Sequence, residues 1–133
     1  MHPDYLKADA LSKRVIGAAI EVHREKGPGL IESIYEKCLM RELELQGIPA
    51  KTQMNISITY KGYTFDEPLR LDMLVDKCLL LEFKSVEKIL PIHKAQLLSY
   101  MKLLNVPIGL LFNFHELRLC DGIHRMILPG ANQ

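Results

Sequence analysis

Along the first part of the chain, from about Asp4 to Glu25, apolar residues recur at the three- and four-residue spacing of a helix. Leu11, Val15, Ile16, Ala18, Ala19 and Val22 share one side, with Lys7, Lys13, Arg14 and Glu21 mainly on the others. Gly27-Pro28-Gly29 interrupts that period. Ile31, Ile34, Tyr35, Cys38 and Leu39 then begin a second helical period, which runs to Gln46 and stops at Gly47. The pattern next changes to a period of two: Met54, Ile56 and Ile58 alternate with Asn55, Ser57 and Thr59, and Lys61-Gly62 reads as a turn. Two denser apolar segments, about Leu69 to Val75 and Leu79 to Lys84, suit central strands joined across Asp76-Lys77. Pro91 opens a third helix, to about Leu104, on the apolar set Ala95, Leu97, Leu98, Met101 and Leu104.

Ile108 to Phe114 is a continuous apolar run, as expected of a buried strand. Because a helix separates it from the Leu79–Lys84 strand, the two are expected to run parallel. Leu117–Cys120 and Ile123–Ile127, on either side of Asp121-Gly122, match two short strands of a hairpin, and Gly130–Gln133 a frayed tail. Two helices, three strands, a helix and further strands argue for an α/β sandwich with a mixed sheet.

A length of 133 residues, 48% hydrophobic and 25% charged, fits a single domain across residues 1–133 with its core at about 5–128. The apolar runs are too short to span a bilayer and the start carries no signal-peptide pattern, so the expectation is a cytoplasmic protein with no membrane partner. Cys38, Cys78 and Cys120 lack the pairing of a disulfide framework and the spacing of a zinc site, and read as reduced thiols in or near the core. The histidines His2, His23, His115 and His124 show no ligand spacing and are expected at the surface or at strand ends. A net charge of +1 neither advertises nor excludes a nucleic-acid partner, because a local basic face can be cancelled elsewhere.

The chemistry lies in the two central strands. Asp72 interrupts Leu71–Val75, and Glu82 and Lys84 interrupt Leu79–Lys84, where an unpaired buried charge costs several kcal/mol. Alternation places Glu82 and Lys84 on one strand face. A neighbouring Asp72 would complete a carboxylate pair that suits Mg²⁺ or Mn²⁺, which keep several waters and bind through few carboxylates. Lys84 would then position a water and stabilise charge on a phosphate, which is the chemistry of phosphodiester hydrolysis. A two-residue turn at Asp76-Lys77 would send Glu82 to the wrong face. The site therefore requires a three-residue connection involving Cys78, or a bulge, to set Asp72 opposite Glu82. Arg70, two residues from Asp72, reads as its ion-pair partner.

Gly29-Leu30-Ile31-Glu32-Ser33-Ile34-Tyr35, Tyr60-Lys61-Gly62, Asp72, Glu82-Phe83-Lys84, Ala95-Gln96-Leu97-Leu98-Ser99-Tyr100 and Phe112-Asn113-Phe114 occur in an order and spacing that resembles the GxxExxY proteins, a branch of the PD-(D/E)XK nuclease superfamily. The resemblance runs from about Leu11 to Leu128 and implies a restriction-endonuclease-like fold. It also implies Asp72 and Glu82 as metal-binding acids, Glu32 as a helix-borne acid supporting the metal, Lys84 as the catalytic lysine, and Gln96 with Tyr100 as a QxxxY element. Leu71 stands where the superfamily's name has proline. Taken alone, Glu32 suits a helix start, and Tyr100 suits a packed helix face. The expected function is Mg²⁺-dependent hydrolysis of nucleic acid, DNA ahead of RNA, with Mn²⁺ as a substitute and a homodimer or partner providing targeting. The rivals are a catalytically silent binding or assembly module of the same fold and a small-molecule phosphohydrolase.

Overall fold

The computed structural model describes Met1–Gln133. Helices α1 (Tyr5–Lys26) and α2 (Glu32–Leu45) lead into strands β1 (Ala50–Tyr60), β2 (Tyr63–Val75) and β3 (Leu79–Lys84). Helix α3 (Pro91–Leu104) then crosses to β4 (Ile108–Asn113), and a 3-10 turn at Leu119–Gly122 precedes β5 (Ile123–Ile127). The five strands form one sheet in chain order. β3 and β4 are parallel, as a helical crossover requires, and the other neighbouring pairs are antiparallel.

Both faces of the sheet are covered. Met73, Val75, Leu79, Leu81 and Phe83 point into the larger core with α1 and α2, while Leu74, Leu80 and Leu111 meet Leu97 and Met101 of α3 on the other face. This two-sided burial is why β3 and β4 read as nearly unbroken apolar runs. Helix α3 lies close on the sheet at Gly109, where a Cβ would come within 2.6 Å of the Met101 sulfur and 3.1 Å of Leu97. Asn105, in the left-handed conformation at φ 54°, ends α3.

The connection between β2 and β3 is the one the chemistry requires. Val75 pairs with Leu79 across the three residues Asp76, Lys77 and Cys78, and the register Leu74↔Leu80 and Met73↔Leu81 leads to Asp72 facing Glu82 at the next step. A second irregularity lies on β2's other side. From Lys51 to Gln53 β1 advances two residues, while β2 runs four, from Leu74 to Arg70. This bulge breaks the alternation, so Leu71 and Leu74, three apart, both face α3.

Several expectations need correction. Leu117–Cys120 is not a strand; the 3-10 turn occupies Leu119–Gly122, where Gly122 is so close to the Asn113 carbonyl that a Cβ would meet it at 2.7 Å. The tail is anchored, since Ala131 is buried and its carbonyl accepts the His2 N–H at 2.9 Å. His23 is buried, with Nε2 at 2.8 Å from the Glu116 carbonyl, and Cys120 is exposed. No helix is long and apolar enough to cross a membrane.

The glycines give a sharp test of this packing. Gly109→Ala is expected to destabilise the protein by about 1–3 kcal/mol through overpacking against α3. Gly17→Ala, on the exposed side of α1 with nothing within 4 Å, should instead stabilise it by about 0.5–1 kcal/mol. Urea denaturation of the two variants would show opposite shifts in midpoint.

Candidate active site

All six sequence candidates, Glu32, Asp72, Glu82, Lys84, Gln96 and Tyr100, line a single cavity of about 640 Å³ that is open to solvent. They reach it from four elements. Its position follows from the end of the β2–β3 ladder: pairing stops at Met73↔Leu81, and the Phe83 N–H donates instead to Asp72 Oδ2 at 2.8 Å. A side chain thus takes the place of a backbone carbonyl, and the two strands part. The gap between them lets Glu32, on a helix packed against the opposite sheet face, share a cavity with Gln96 and Tyr100 of α3.

Glu32 is positioned by the turn before it. Gly29 adopts φ +82°, which favours glycine, and its N–H donates to the Phe114 carbonyl at 3.1 Å. The buried Tyr35 hydroxyl donates to the Gly27 carbonyl at 2.5 Å and accepts the Leu30 N–H at 3.0 Å, while its ring stacks on Phe114 at 4.1 Å. The glycine, glutamate and tyrosine of the GxxExxY pattern therefore work as one unit. The glycine and tyrosine shape the turn, and the glutamate opens α2 at the cavity's rim.

Glu82 is the most constrained acid. Its Oε2 is buried without a hydrogen-bond partner, and Oε1 lies 3.9 Å from Lys84 Nζ, too far for a hydrogen bond. Burial holds the Glu82 carboxyl above its ordinary range; Lys84 opposes this, while Asp72 and Glu32 reinforce it. Lys84, at the end of β3, is steadied through its partner strand: it pairs with Asn113, and its carbonyl accepts the Phe114 N–H at 2.8 Å. Buried Asn113 then clamps the chain that follows, accepting from Val86 N–H at 3.1 Å and donating to the Val86 carbonyl at 2.8 Å.

The sequence reading missed Glu36. It is one helical turn after Glu32, and that four-residue spacing is the signal that could have found it. Burial raises the Glu36 carboxyl, Arg70 opposes, and Asp72 adds to the rise. Arg70 pairs with Glu36 at 3.6 Å rather than with Asp72 as expected, because the β2 bulge removes the regular two-residue alternation. His93 caps α3, its Nδ1 accepting the Leu90 N–H at 3.0 Å, and does not line the cavity.

The donor set suits a small, hard cation in one respect above all: a buried carboxylate oxygen with no partner lies in the cavity that Asp72 also lines. No three His, Cys, Asp or Glu side chains converge closely enough to form a cage by themselves. Such an ion would therefore draw its remaining ligands from water and substrate oxygens, as Mg²⁺ sites commonly do.

A family model for the PD-(D/E)XK nuclease superfamily matches residues 9–126, which include every residue of the cavity. Five mixed strands with three helices are consistent with the restriction-endonuclease-like fold of that superfamily. No curated protein and no solved structure matches the chain.

The raised Glu82 carboxyl has a defined effect on stability. Its folded-state value exceeds its unfolded one, so its contribution is fully present below the ordinary value of 4.5 and is lost as pH rises through the folded value. In EDTA, the stability of the wild type relative to Glu82→Gln is expected to fall as pH rises across that window. Chemical denaturation at a series of pH values would measure this, and parallel curves would contradict it.

Proposed function

The chain belongs to the PD-(D/E)XK nuclease superfamily, and from that membership and the cavity's geometry we propose that it hydrolyses phosphodiester bonds of nucleic acid with a divalent cation. The observation that carries this reading is the orphaned Glu82 Oε2 in the cavity shared with Asp72. A buried anionic oxygen without a partner is costly, and a cation removes that cost. Members of the superfamily generally use divalent metals. Mg²⁺ is proposed here, with Mn²⁺ as a substitute.

Asp72 and Glu82 are the proposed metal-binding residues, and Glu32 supports them from the rim. When bound, the ion supplies Lewis acidity and a more acidic water. Asp72 is oriented for this by the Phe83 N–H, which leaves Oδ1 free. Lys84 donates only; we assign it to hold a water and to stabilise charge developing on the phosphoryl oxygens. Gln96 and Tyr100, four apart on α3, present an amide and a phenol to the same cavity and are assigned to orient the phosphate or Lys84. Arg70 at the mouth provides a further cation for an incoming phosphate.

The open cavity favours a polymer over a small phosphate ester, which a deep closed pocket would suit better. DNA is the proposed substrate ahead of RNA on the resemblance to the GxxExxY branch. The working unit is proposed to be one domain, residues 1–133, acting in the cytoplasm. Targeting is assigned to a second copy or a partner.

The test is a cleavage assay on single-stranded and duplex DNA and on RNA, with Mg²⁺, Mn²⁺ or EDTA. Lys84→Ala should lower cleavage by about 10²–10³-fold or more while leaving Mn²⁺ affinity, measured by calorimetry, nearly unchanged. Asp72→Ala should reduce both. Metal should raise the melting temperature over the concentration range that supports cleavage, by mass action on the native state. If millimolar Mg²⁺ and Mn²⁺ change neither the melting temperature nor any substrate, the binding-module reading replaces this one.

A further inference from the structure

Arg70 lies among several acids, and it pairs with one that does not line the cavity. Asp72, two residues along β2, and Glu32 both line the cavity with Arg70, yet neither forms an ion pair with it. Its partner is Glu36, at 3.6 Å, one helical turn after Glu32 on α2. The choice matters because Asp72 has an oxygen to spare: Oδ2 accepts the Phe83 N–H, while Oδ1 has no protein partner. A guanidinium carries five donors in a fixed fork that matches a carboxylate, so an untethered Arg70 would bridge readily to Oδ1.

Two features divert the arginine. The bulge in β2, between Arg70 and Leu74, removes the regular alternation that would set Arg70 beside Asp72. The path of α2 then brings Glu36 to meet it, with a side chain only 20% exposed against 66% for Arg70. Burial raises the Glu36 carboxyl, and Arg70 is the cation that most opposes the rise. Lys37, the other cation acting on it, lies in the groove between α1 and α2 with Glu21 and Glu25. A largely buried acid thus keeps its charge by keeping the arginine close. An ion pair with one partner so exposed adds little to folding stability, and its effect is to be sought in the site.

We propose that Glu36 is a positioning residue that withholds Arg70 from Asp72 and so keeps Oδ1 open to a divalent cation, a role that rests on Asp72 and Glu82 being metal ligands. Guanidinium and metal compete for one carboxylate oxygen. Released from Glu36, Arg70 would turn to Asp72 and neutralise the charge that the cation requires. The same tether leaves the guanidinium at the cavity's mouth with donors to spare for a phosphate.

Mn²⁺ titrated alone into the full chain by calorimetry, over a double-mutant cycle of Glu36→Gln and Arg70→Gln, separates this role from a simple loss of charge. Glu36→Gln is expected to weaken Mn²⁺ binding by about tenfold. Arg70→Gln should leave it within about threefold of the wild type, and in that background Glu36→Gln should change it by less than about twofold. Two charges acting independently through space would instead give the same loss in either background.

Metal-free crystals of Glu36→Gln supply a second readout that needs no bound ion. The Arg70 guanidinium should lie within hydrogen-bond distance of Asp72 Oδ1, with the melting temperature in EDTA close to that of the wild type. An arginine that stays away from Asp72 in this variant, an unchanged Mn²⁺ affinity, or a loss that persists without Arg70 would overturn the proposal. A wild type that takes up no Mn²⁺ would refute the metal-site reading itself, and the position of Arg70 in the variant would then decide the role of Glu36 alone.

Discussion

Where β2 and β3 part beyond Met73 and Leu81, the Phe83 N–H is satisfied by a carboxylate instead of a carbonyl. Much of the site depends on this substitution. A continued ladder would close the gap through which Glu32 lines the cavity, and an unpaired Phe83 N–H would carry a burial penalty of about 1–3 kcal/mol. The bulge in β2 and the three-residue connection at Asp76–Cys78 are the backbone adjustments that permit it. One oxygen of Asp72 therefore serves the fold, and the other is left without a protein partner.

The surrounding elements hold this arrangement from several directions. Tyr35 ties the α1–α2 turn, Phe114 stacks on Tyr35, and Asn113 fixes the segment that leaves Lys84. Gly109 lets α3 lie flat enough for Gln96 and Tyr100 to line the cavity. These supports hold in place a Glu82 carboxyl whose ionised form is disfavoured by burial and by the nearby Asp72 and Glu32. An electrostatic cost kept in a rigid frame is a common mark of sites that act on charged ligands.

Much of this was legible in the sequence because periodicity reports burial directly. The bounds of α1, α2 and α3, the parallel β3–β4 pair and the Lys61-Gly62 turn all followed from spacing. β2 begins at Tyr63, earlier than the expected Leu69, because Asp66-Glu67-Pro68 resembles a break; in a hairpin with no third strand those residues face solvent and are tolerated. Arg70 was assigned the wrong partner because strict alternation fails at a bulge that the sequence does not mark. Glu36 sits among other charged residues of α2, and only the path of α2 past β2 brings it near Asp72. The Asp121-Gly122 pair suggested a hairpin, but close packing of Gly122 on Asn113 selected a tight helical turn.

The parallel crossover also bears on how the protein comes into being on the ribosome. The β1–β2 hairpin and the helices rest on local contacts and can form early, but β3 gains its second neighbour only when β4, more than twenty residues later, has emerged. Until then Lys84 lacks the strand that steadies it, the segment at Val86 has no Asn113 to clamp it, and α3 has no Gly109 to rest on. The cavity is thus among the last parts of the molecule to exist during synthesis. A ribosome that stalls before β4 would release a chain holding every acidic residue of the site but no assembled site.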